Sequence, residues 1–169
     1  MHGNRIGGIC LLFKKYYDSL AGLLLIKADE SGICAVCADE KRDSEEILCP
    51  LLDEVAAQLD AYFAGRLKRF DLPLSPQGTP FERAVWAEVR AIPYGEVRTY
   101  GQIAAQLGVP GAARAVGRAC GANPVLILTP CHRVVGAGGK LTGFAAGLHA
   151  KRTLLKLEGH VLAGSRVLI

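Results

Sequence analysis

A segment containing two prolines and a glycine, Asp71–Gly78, divides this 169-residue chain into halves of different pattern. The segment reads Asp-Leu-Pro-Leu-Ser-Pro-Gln-Gly, a composition that interrupts both helices and strands. The residues before Thr79 include nine Lys or Arg against twelve Asp or Glu, whereas the rest of the chain has eleven against four. Such a change of character across a breaker segment is typical of a domain boundary. The sequence therefore predicts one domain over residues 1–78 and a second over residues 79–169.

The N-terminal half has the pattern of a small sheet followed by one helix. Short apolar or alternating runs, separated by turn residues, predict strands at Leu11–Tyr17, Leu23–Lys27 and Ile33–Ala38. Apolar residues at three- and four-residue spacing then predict a helix from about Leu51 to Ala64, which Gly65 ends.

Two capping boxes mark helix starts in the C-terminal half. Thr79–Glu82, with proline at the first helical position, begins a helix that runs to about Ala91. Thr99–Gln102 begins a short helix that ends near Gly108, and another helix spans roughly Ala112–Cys120. Two short helices joined by a tight Gly/Pro turn form the helix-turn-helix pattern, which is typical of DNA-binding proteins.

Bulk composition excludes a disordered or membrane-spanning chain. Hydrophobic residues make up 50% of the sequence, yet no apolar run approaches the ~20 residues that cross a bilayer. The run Ile6–Phe13 is interpreted as part of a first strand rather than as a signal peptide, which implies a cytoplasmic protein with no membrane partner. The basic C-terminal half favours an anionic partner, although charge alone is equally consistent with a solvated basic face.

Six cysteines do not make a disulfide scaffold in a chain of this length, so we expect free thiols, mostly buried. Cys34 and Cys37 form a CxxC pair, which together with Cys10 and Cys49 could supply four zinc ligands. Buried thiols in an alternating strand are the interpretation that we favour. No metal site is therefore predicted.

The helix around residues 111–121 is built almost entirely of small residues, interrupted by Arg114 and Arg118. A thin helix of this kind suits the minor groove of DNA, which is only ~6 Å wide, and an arginine on it could enter the base stack or pair with phosphate. Small residues also permit close packing of helices in a protein core. The residue pattern alone leaves both interpretations open.

Cys131 is the candidate nucleophile of this sequence. It follows the apolar run Val125–Pro130 and precedes His132 and Arg133, and cationic neighbours of this kind lower the pKa of a thiol. His132 is a candidate proton acceptor, directly or through a water. Glu158, one of only four acids after Thr79, is the candidate that orients the imidazole. Most Cys-His pairs are structural, so these residues alone leave a structural role open.

Several motifs together resemble one known family. Pro130-Cys-His-Arg-Val134 matches the PCHRV signature of the methylated-DNA–protein-cysteine methyltransferases, also called O6-alkylguanine-DNA alkyltransferases. Further motifs in the family's order and spacing are Ile92-Pro-Tyr-Gly-Glu96, Thr99-Tyr-Gly101, Ala112-Ala-Arg-Ala-Val-Gly117, Asn123-Pro124, Gly143-Phe144 and Leu157-Glu-Gly159. Before Thr79 the resemblance is weaker and is carried by Tyr17–Ser19 and Gln58–Gly65.

The resemblance implies an α/β (α+β) fold. The N-terminal sheet domain would look like ribonuclease H, and the mostly helical C-terminal domain would contain a winged-helix-like helix-turn-helix. It also implies DNA repair: the alkyl group of O6-alkylguanine in double-stranded DNA, with O4-alkylthymine as a further candidate, passes irreversibly to Cys131. Each molecule would accept one group without any cofactor. The protein would be a monomer that binds the minor groove and flips out the damaged base, with clustering on DNA left open.

The resemblance assigns catalytic roles to five residues. Cys131, His132 and Glu158 would form a relay with a water between thiol and imidazole. Asn123 would brace the turn between the recognition helix and the site. Tyr100 would help to rotate the nucleotide and supply a proton to the departing guanine.

DNA-binding and pocket roles follow in the same way. Arg114 would take the place of the flipped base, on a helix face that also presents Ala112, Ala113, Gly117 and Arg118. The carbonyls of Cys131 and Val134 would accept from the guanine amino group, and the N–H of Ala145 would donate to O6. Phe144 would form the pocket wall. Many relatives carry tyrosine at this position, so a hydrogen bond from its side chain is lost here and the range of alkyl groups is left open.

Two other functions compete with alkyl transfer. One is a non-enzymatic damage sensor of the alkyltransferase-like type, in which the reactive cysteine is replaced; the presence of Cys131 counts against it. The other is a thiol hydrolase that uses Cys131, His132 and Glu158, for which the sequence shows no oxyanion-hole motif.

Overall fold

The computed structural model describes residues 12–168, and their N-terminal part forms a three-stranded antiparallel sheet followed by a helix. Strands β1 (Phe13–Ser19), β2 (Gly22–Asp29) and β3 (Gly32–Ala38) lie side by side in chain order. Helix α1 (Pro50–Phe63) covers the sheet with its buried residues Leu52, Val55, Leu59 and Tyr62. The alternating runs therefore form a sheet, and the apolar residues at three- and four-residue spacing form a helix. The two elements pack as layers around one core.

Most predicted bounds in this half are correct to within two residues. Strand β1 extends to Ser19, because Tyr17, Asp18 and Ser19 pair with Leu24, Leu23 and Gly22 across a tight turn. The predicted strand residues 6–11 lie outside the described part of the chain.

Helices dominate the second half, and four lie within the described residues: α2 (Pro80–Arg90), α3 (Tyr100–Gln106), α4 (Ala113–Gly121) and α5 (Gly147–Leu157). Strand β4 (Arg98–Thr99) pairs in parallel with β5 (Val134–Val135), and β6 (Leu162–Ala163) forms a hairpin with β7 (Arg166–Val167). The mixed α/β class that the sequence predicts is confirmed. Across residues 12–168, no helix combines the length and the apolar content of a membrane span.

Both predicted capping boxes are present, and they fix where α2 and α3 begin. The Thr79 hydroxyl accepts from the Glu82 N–H at 3.2 Å, while the Glu82 carboxylate accepts from the Thr79 N–H at 2.8 Å. Thr99 and Gln102 repeat the arrangement at 3.1 and 2.7 Å. Because the second box starts α3 at Tyr100, it sets the position of that side chain beside α4.

Backbone pairing joins the two halves at the outer edge of β3. The Val36 N–H donates to Pro124 O at 2.8 Å, and the Leu126 N–H donates to Val36 O at 2.9 Å, so the segment that leads to Cys131 forms a parallel β-bridge with the edge strand of the N-terminal sheet. The segment between the halves pairs with the same strand, since Ile33 N donates to Pro73 O at 2.8 Å. One hydrophobic cluster runs through both halves. The sheet therefore holds in place the loop that carries the reactive cysteine.

Candidate active site

Cys131 begins a short 3-10 turn, Cys131–Arg133, and its side chain is held by Asn123. The thiol is buried, with 4% of the residue exposed. Asn123 donates from Nδ2 to Cys131 Sγ at 3.1 Å and to Thr129 O at 2.9 Å, and its Oδ1 accepts from Val125 N at 3.0 Å. Asn123 therefore ties both ends of the 125–129 segment together and directs an N–H at the sulfur.

The pKa of the Cys131 thiol is raised from its ordinary value, which corrects the sequence-based expectation of a lowered pKa. Burial is the main cause, and it outweighs the opposing effects of the Asn123 hydrogen bond and the nearby Lys151 ammonium. Arg133, on which the expectation partly rested, is bound to Glu158 instead. The resting group is therefore a thiol, and reaction requires a proton acceptor.

Lys151, on α5, is fully buried beneath the site and has backbone carbonyls as its partners. Its Nζ donates to Val134 O at 2.6 Å and to Thr142 O at 3.3 Å. Burial lowers the pKa of Lys151 to about 8. Near neutral pH the group is still largely cationic, so it favours negative charge on the neighbouring sulfur.

Glu158 is the hub of the polar side of the site. It follows the last turn of α5 and receives Arg133 Nε on Oε2 and Arg133 Nη2 on Oε1, both at 2.9 Å. Gly95 N donates to Oε2 at 3.2 Å. Hydrogen bonds and charges from His132 and Arg133 overcome the opposing effect of burial, which is the largest single influence, and hold the pKa of Glu158 far below its usual range. The group is therefore a carboxylate that only accepts hydrogen bonds.

His132 faces this carboxylate and is completely buried. Its Nε2 lies 2.9 Å from Glu158 Oε1, so Nε2 carries the hydrogen and donates it. Burial lowers the pKa of His132 below its ordinary value, against the opposing pull of Glu158. The other nitrogen, Nδ1, is buried and has no hydrogen-bond partner within residues 12–168. At neutral pH the imidazole is thus a neutral base with a free lone pair on Nδ1.

Tyr62 and Lys151 were both missed by sequence reasoning. Tyr62 donates its hydroxyl to Glu158 Oε1 at 2.7 Å, from a helix 96 positions earlier in the chain. The available signal was the Gln58–Gly65 motif, but in a helical apolar pattern Tyr62 is indistinguishable from a core aromatic residue. Lys151 looks like an ordinary surface cation on α5 until the fold buries it.

The opposite side of Cys131 opens into a pocket of about 610 Å³. Small and aromatic residues share the lining: Tyr100, Ala113, Arg114, Gly117, Cys120, Gly121, Cys131, Thr142, Gly143, Phe144 and Ala145. The Tyr100 hydroxyl lies 2.9 Å from Thr142 Oγ1, and the Phe144 ring meets the His132 ring edge to face at 6.3 Å. A volume of this size accommodates a planar heterocycle with room to spare.

The helix of small residues has a buried face and an outer face. Its buried face, Val116, Ala119 and Cys120, packs into the core, and Trp86 Nε1 donates to Ala119 O at 2.8 Å. Its outer face exposes Arg114 and Arg118, between which Gly117 lies against the Tyr100 ring. Ala112 caps the helix and Ala113 begins it. Of this set, Arg114, Ala113 and Gly117 line the pocket, whereas Ala112 and Arg118 do not.

A strained turn precedes the nucleophile. Ile127 adopts a left-handed backbone (φ 71°), which is rare for a β-branched residue and costs about 1–3 kcal/mol. The Leu128 N–H donates to Leu126 O at 2.8 Å across this turn. Together with the sheet pairing of residue 126, this turn directs the chain toward Cys131.

Within residues 12–168 the cysteines form no disulfide, and fewer of them are buried than the sequence predicts. Cys120 is buried, whereas Cys34, Cys37 and Cys49 are partly exposed. Cys10 lies outside the described residues. Among residues 12–168, no group of three or more His, Cys, Asp or Glu side chains has an arrangement that could hold a metal ion.

Two family models match the chain over most of its length. Residues 12–76 match the ribonuclease-like domain of 6-O-methylguanine DNA methyltransferase, and residues 80–160 match the DNA-binding domain of 6-O-methylguanine DNA methyltransferase.

Individual relatives agree with the family models. The chain is 46% identical over 154 residues to a methylated-DNA–protein-cysteine methyltransferase of Methanosarcina acetivorans, covering 88% of this chain and 99% of the relative. A crystal structure of Mycobacterium tuberculosis OGT in complex with DNA superposes with a TM-score of 0.78 at 45% identity, covering 86% of this chain and 91% of that one. A crystal structure of Mycobacterium tuberculosis O6-methylguanine methyltransferase gives 0.75 at 43% identity, covering 88% and 93%.

Proposed function

The chain belongs to the methylated-DNA–protein-cysteine methyltransferase family, and we propose that it repairs DNA by taking the alkyl group of O6-alkylguanine onto Cys131. One observation carries the proposal. Cys131 lines an open pocket of about 610 Å³, its sulfur accepts a hydrogen bond from Asn123, and the next residue, His132, is buried and bound to Glu158. A nucleophile with an acceptor for its proton on one side and room for a base on the other fits alkyl transfer.

Deprotonation of the thiol is the first task. The Cys131 proton passes to His132 Nδ1 through one bridging water, and the imidazolium that forms is stabilised by Glu158. Asn123 and the Lys151 cation favour the thiolate that remains. This order of events agrees with a raised resting pKa of the thiol, because the thiolate forms only when His132 can accept the proton.

Displacement then follows at the alkyl carbon. The sulfur attacks in line, a carbon–sulfur bond forms, and the bond between carbon and the guanine O6 breaks. Burial raises the pKa of Tyr100, so its hydroxyl stays protonated and donates a hydrogen bond to the departing guanine. When its proton passes to guanine, Tyr100 regains one from solvent water, and His132 returns the Cys131 proton to solvent. A thioether is very stable and none of the groups described here cleaves it. The protein is therefore consumed, one alkyl group per molecule.

The damaged base reaches the pocket from the side of α4. We infer that α4 enters the minor groove and that Arg114, exposed at the pocket mouth, fills the place of the flipped nucleotide. The excess of basic residues after Thr79 supports an anionic partner for this half. We further infer that the protein is cytoplasmic, since this chemistry requires a reduced thiol and access to chromosomal DNA. We also infer that it acts as a monomer with domains over 1–78 and 79–169.

Recognition of guanine involves the pocket wall and the carbonyl of Val134, a fully buried residue outside the pocket lining. The carbonyls of Cys131 and Val134 accept from the guanine amino group. The Val134 oxygen does so with its second lone pair, because Lys151 already donates to it. The backbone N–H of Ala145 donates to O6, and Phe144 supplies an apolar wall.

A turnover experiment tests the proposal against its two competitors. The protein is mixed with an excess of duplex DNA carrying O6-methylguanine with a radiolabelled methyl group, and protein-bound label is counted over time. We expect transfer to stop at one methyl group per molecule. Binding without transfer would identify a damage sensor. Continued turnover with label released as methanol would identify a hydrolase.

A further inference from the structure

Tyr62 brings the N-terminal half into direct contact with the groups proposed to move the proton. It lies in the last turn of α1 and is fully buried. Its hydroxyl donates to Glu158 Oε1 at 2.7 Å, the same oxygen that His132 Nε2 approaches at 2.9 Å. A residue from the first half of the chain thus shares one carboxylate oxygen with the candidate base.

The direction of this hydroxyl is set by packing. The Tyr62 ring contacts Phe63 at 5.3 Å between centroids, Phe70 at 5.2 Å and Tyr94 at 6.1 Å. Neighbours on three sides leave the ring little freedom to turn, so the O–H remains aimed at the carboxylate. A hydrogen bond held in this way requires little further ordering during the reaction.

The proton positions in the cluster follow from the charges of its members. Glu158 is ionised and can only accept, and burial together with that carboxylate strongly raises the pKa of Tyr62, which stays protonated. Tyr62 O–H and His132 Nε2–H therefore both donate to Oε1. Their 3.4 Å separation is the spacing of two donors on one acceptor rather than a bond between them. Nδ1 is consequently the basic nitrogen of His132.

We propose that Tyr62 is a positioning residue for alkyl transfer. By donating to Glu158 Oε1, it weakens the attraction of that oxygen for the Nε2 hydrogen of His132, and so keeps the imidazole neutral with Nδ1 free. This inference rests on the proposed function, in which His132 accepts the thiol proton. Without Tyr62, the carboxylate would still be bound by Arg133, but Oε1 would have one donor fewer, so it would pull more strongly on the Nε2 hydrogen and favour the imidazolium before substrate binds. A protonated His132 cannot accept a proton. The N-terminal half therefore tunes the chemistry as well as supporting the fold.

The test is an NMR titration of His132 in wild-type protein and in Tyr62→Phe, followed by its ring ¹⁵N shifts. Tyr17→Phe is the matched control, because it also removes a tyrosine hydroxyl that donates to a carboxylate. Tyr17, on β1, donates at 2.7 Å to Asp60, which lies on α1 with Tyr62 but at an exposed site. We expect Tyr62→Phe to raise the pKa of His132 by about 0.5–1 unit, which is less than the full effect of one hydrogen bond to a charged group because Arg133 remains bound to the carboxylate. Tyr17→Phe should leave it unchanged. An unchanged His132 titration in Tyr62→Phe would overturn the proposal.

Transfer rates and the wild-type NMR spectrum complete the experiment. The acid limb of the single-turnover transfer rate should move to higher pH in Tyr62→Phe, with DNA affinity unchanged. If that variant does not fold, the wild-type spectrum still decides: His132 must be neutral at pH 7 with its hydrogen on Nε2, and the other tautomer would contradict the proposal. Wild-type protein that fails to transfer methyl groups would instead refute the proposed function, and the NMR result would stand apart from it.

Discussion

The two sides of Cys131 differ in almost every physical property. On one side, Tyr62, His132, Arg133 and Glu158 are buried and joined by hydrogen bonds, and His132 Nδ1 is left without a partner among residues 12–168. On the other side, small residues and two aromatic rings line an open pocket of about 610 Å³. The closed side has one arrangement fixed by charge and packing. The open side has few polar groups of its own and depends on what enters it.

This difference separates chemistry from recognition. Changes on the closed side should affect proton transfer and the stability of the whole fold, because each member is desolvated and holds the others in place. Changes on the open side should affect which DNA reacts and how fast, while the fold is retained.

Glu158→Gln should produce the largest loss. It leaves Arg133 buried without its counter-charge, so the free energy of unfolding should fall by about 3–5 kcal/mol. Loss of the carboxylate that orients His132 should slow transfer on the order of 100-fold or more. Urea unfolding and single-turnover rates measure the two effects. Glu96→Gln, an exposed carboxylate 3.8 Å from Arg98, is the control and should change stability by less than about 1 kcal/mol.

The same variant has a pH signature. Because the pKa of Glu158 is depressed in the folded state, its stabilising effect is present above the ordinary value of 4.5 and is lost as pH falls below it. Wild-type protein should therefore lose more stability than Glu158→Gln between neutral pH and pH 4. Parallel curves for the two proteins would show that this carboxylate is not depressed.

Arg114→Ala should slow repair of duplex DNA while leaving the fold intact. Loss of a side chain that replaces a flipped base removes about 1–3 kcal/mol, which corresponds to roughly 5- to 150-fold in rate or affinity. Reaction with the free base O6-methylguanine should be unaffected, since no nucleotide needs to be flipped. Arg90→Ala, an exposed arginine outside this pocket, controls for lost charge. Equal losses on duplex and free base would remove Arg114 from the flipping role.

Lys151→Met tests the cation beneath the site through the pH dependence of stability. Lys151 has a folded pKa of about 8, below its ordinary 10.5, so the unfolded chain binds more protons between these values. Wild-type stability should therefore rise relative to the variant by about 2 kcal/mol from pH 7.5 to pH 9.5. Denaturant unfolding at the two pH values measures the difference. A constant gap between the proteins would contradict a buried lysine with a lowered pKa.

Phe144→Tyr should have the smallest effect. Phe144 is half-buried at the pocket wall, where a hydroxyl can point to solvent, so transfer from O6-methylguanine should change less than about threefold. Larger alkyl groups should show a greater difference, because they extend along this wall. Competition between methylated and benzylated oligonucleotides measures the preference. A tenfold loss for the methyl substrate would mean that the wall is more tightly fitted than its exposure indicates.

Sequence patterns predicted the elements well because their signals are local. Each of the Thr79 and Thr99 capping boxes lies within a single helical turn, and the small-residue helix is one run of nine consecutive residues. Glu158 was identifiable because few acids occur in the second half. Tyr62 and Lys151 were not, since their roles depend on contacts that only tertiary packing creates. The thiol pKa was expected in the wrong direction for the same reason: neighbours in sequence revealed cations near Cys131, but not the burial that outweighs them.

If Cys131 itself accepts the alkyl group, peptide mapping of the reacted protein should find the group on that residue. The protein is reacted with duplex DNA containing O6-methylguanine, digested, and examined by mass spectrometry, with Cys131→Ser as the control. We expect one methyl group on Cys131 in each reacted molecule, none on Cys120 in the same pocket, and no transfer in the variant. A methyl group on any other residue, or transfer by Cys131→Ser, would contradict this assignment.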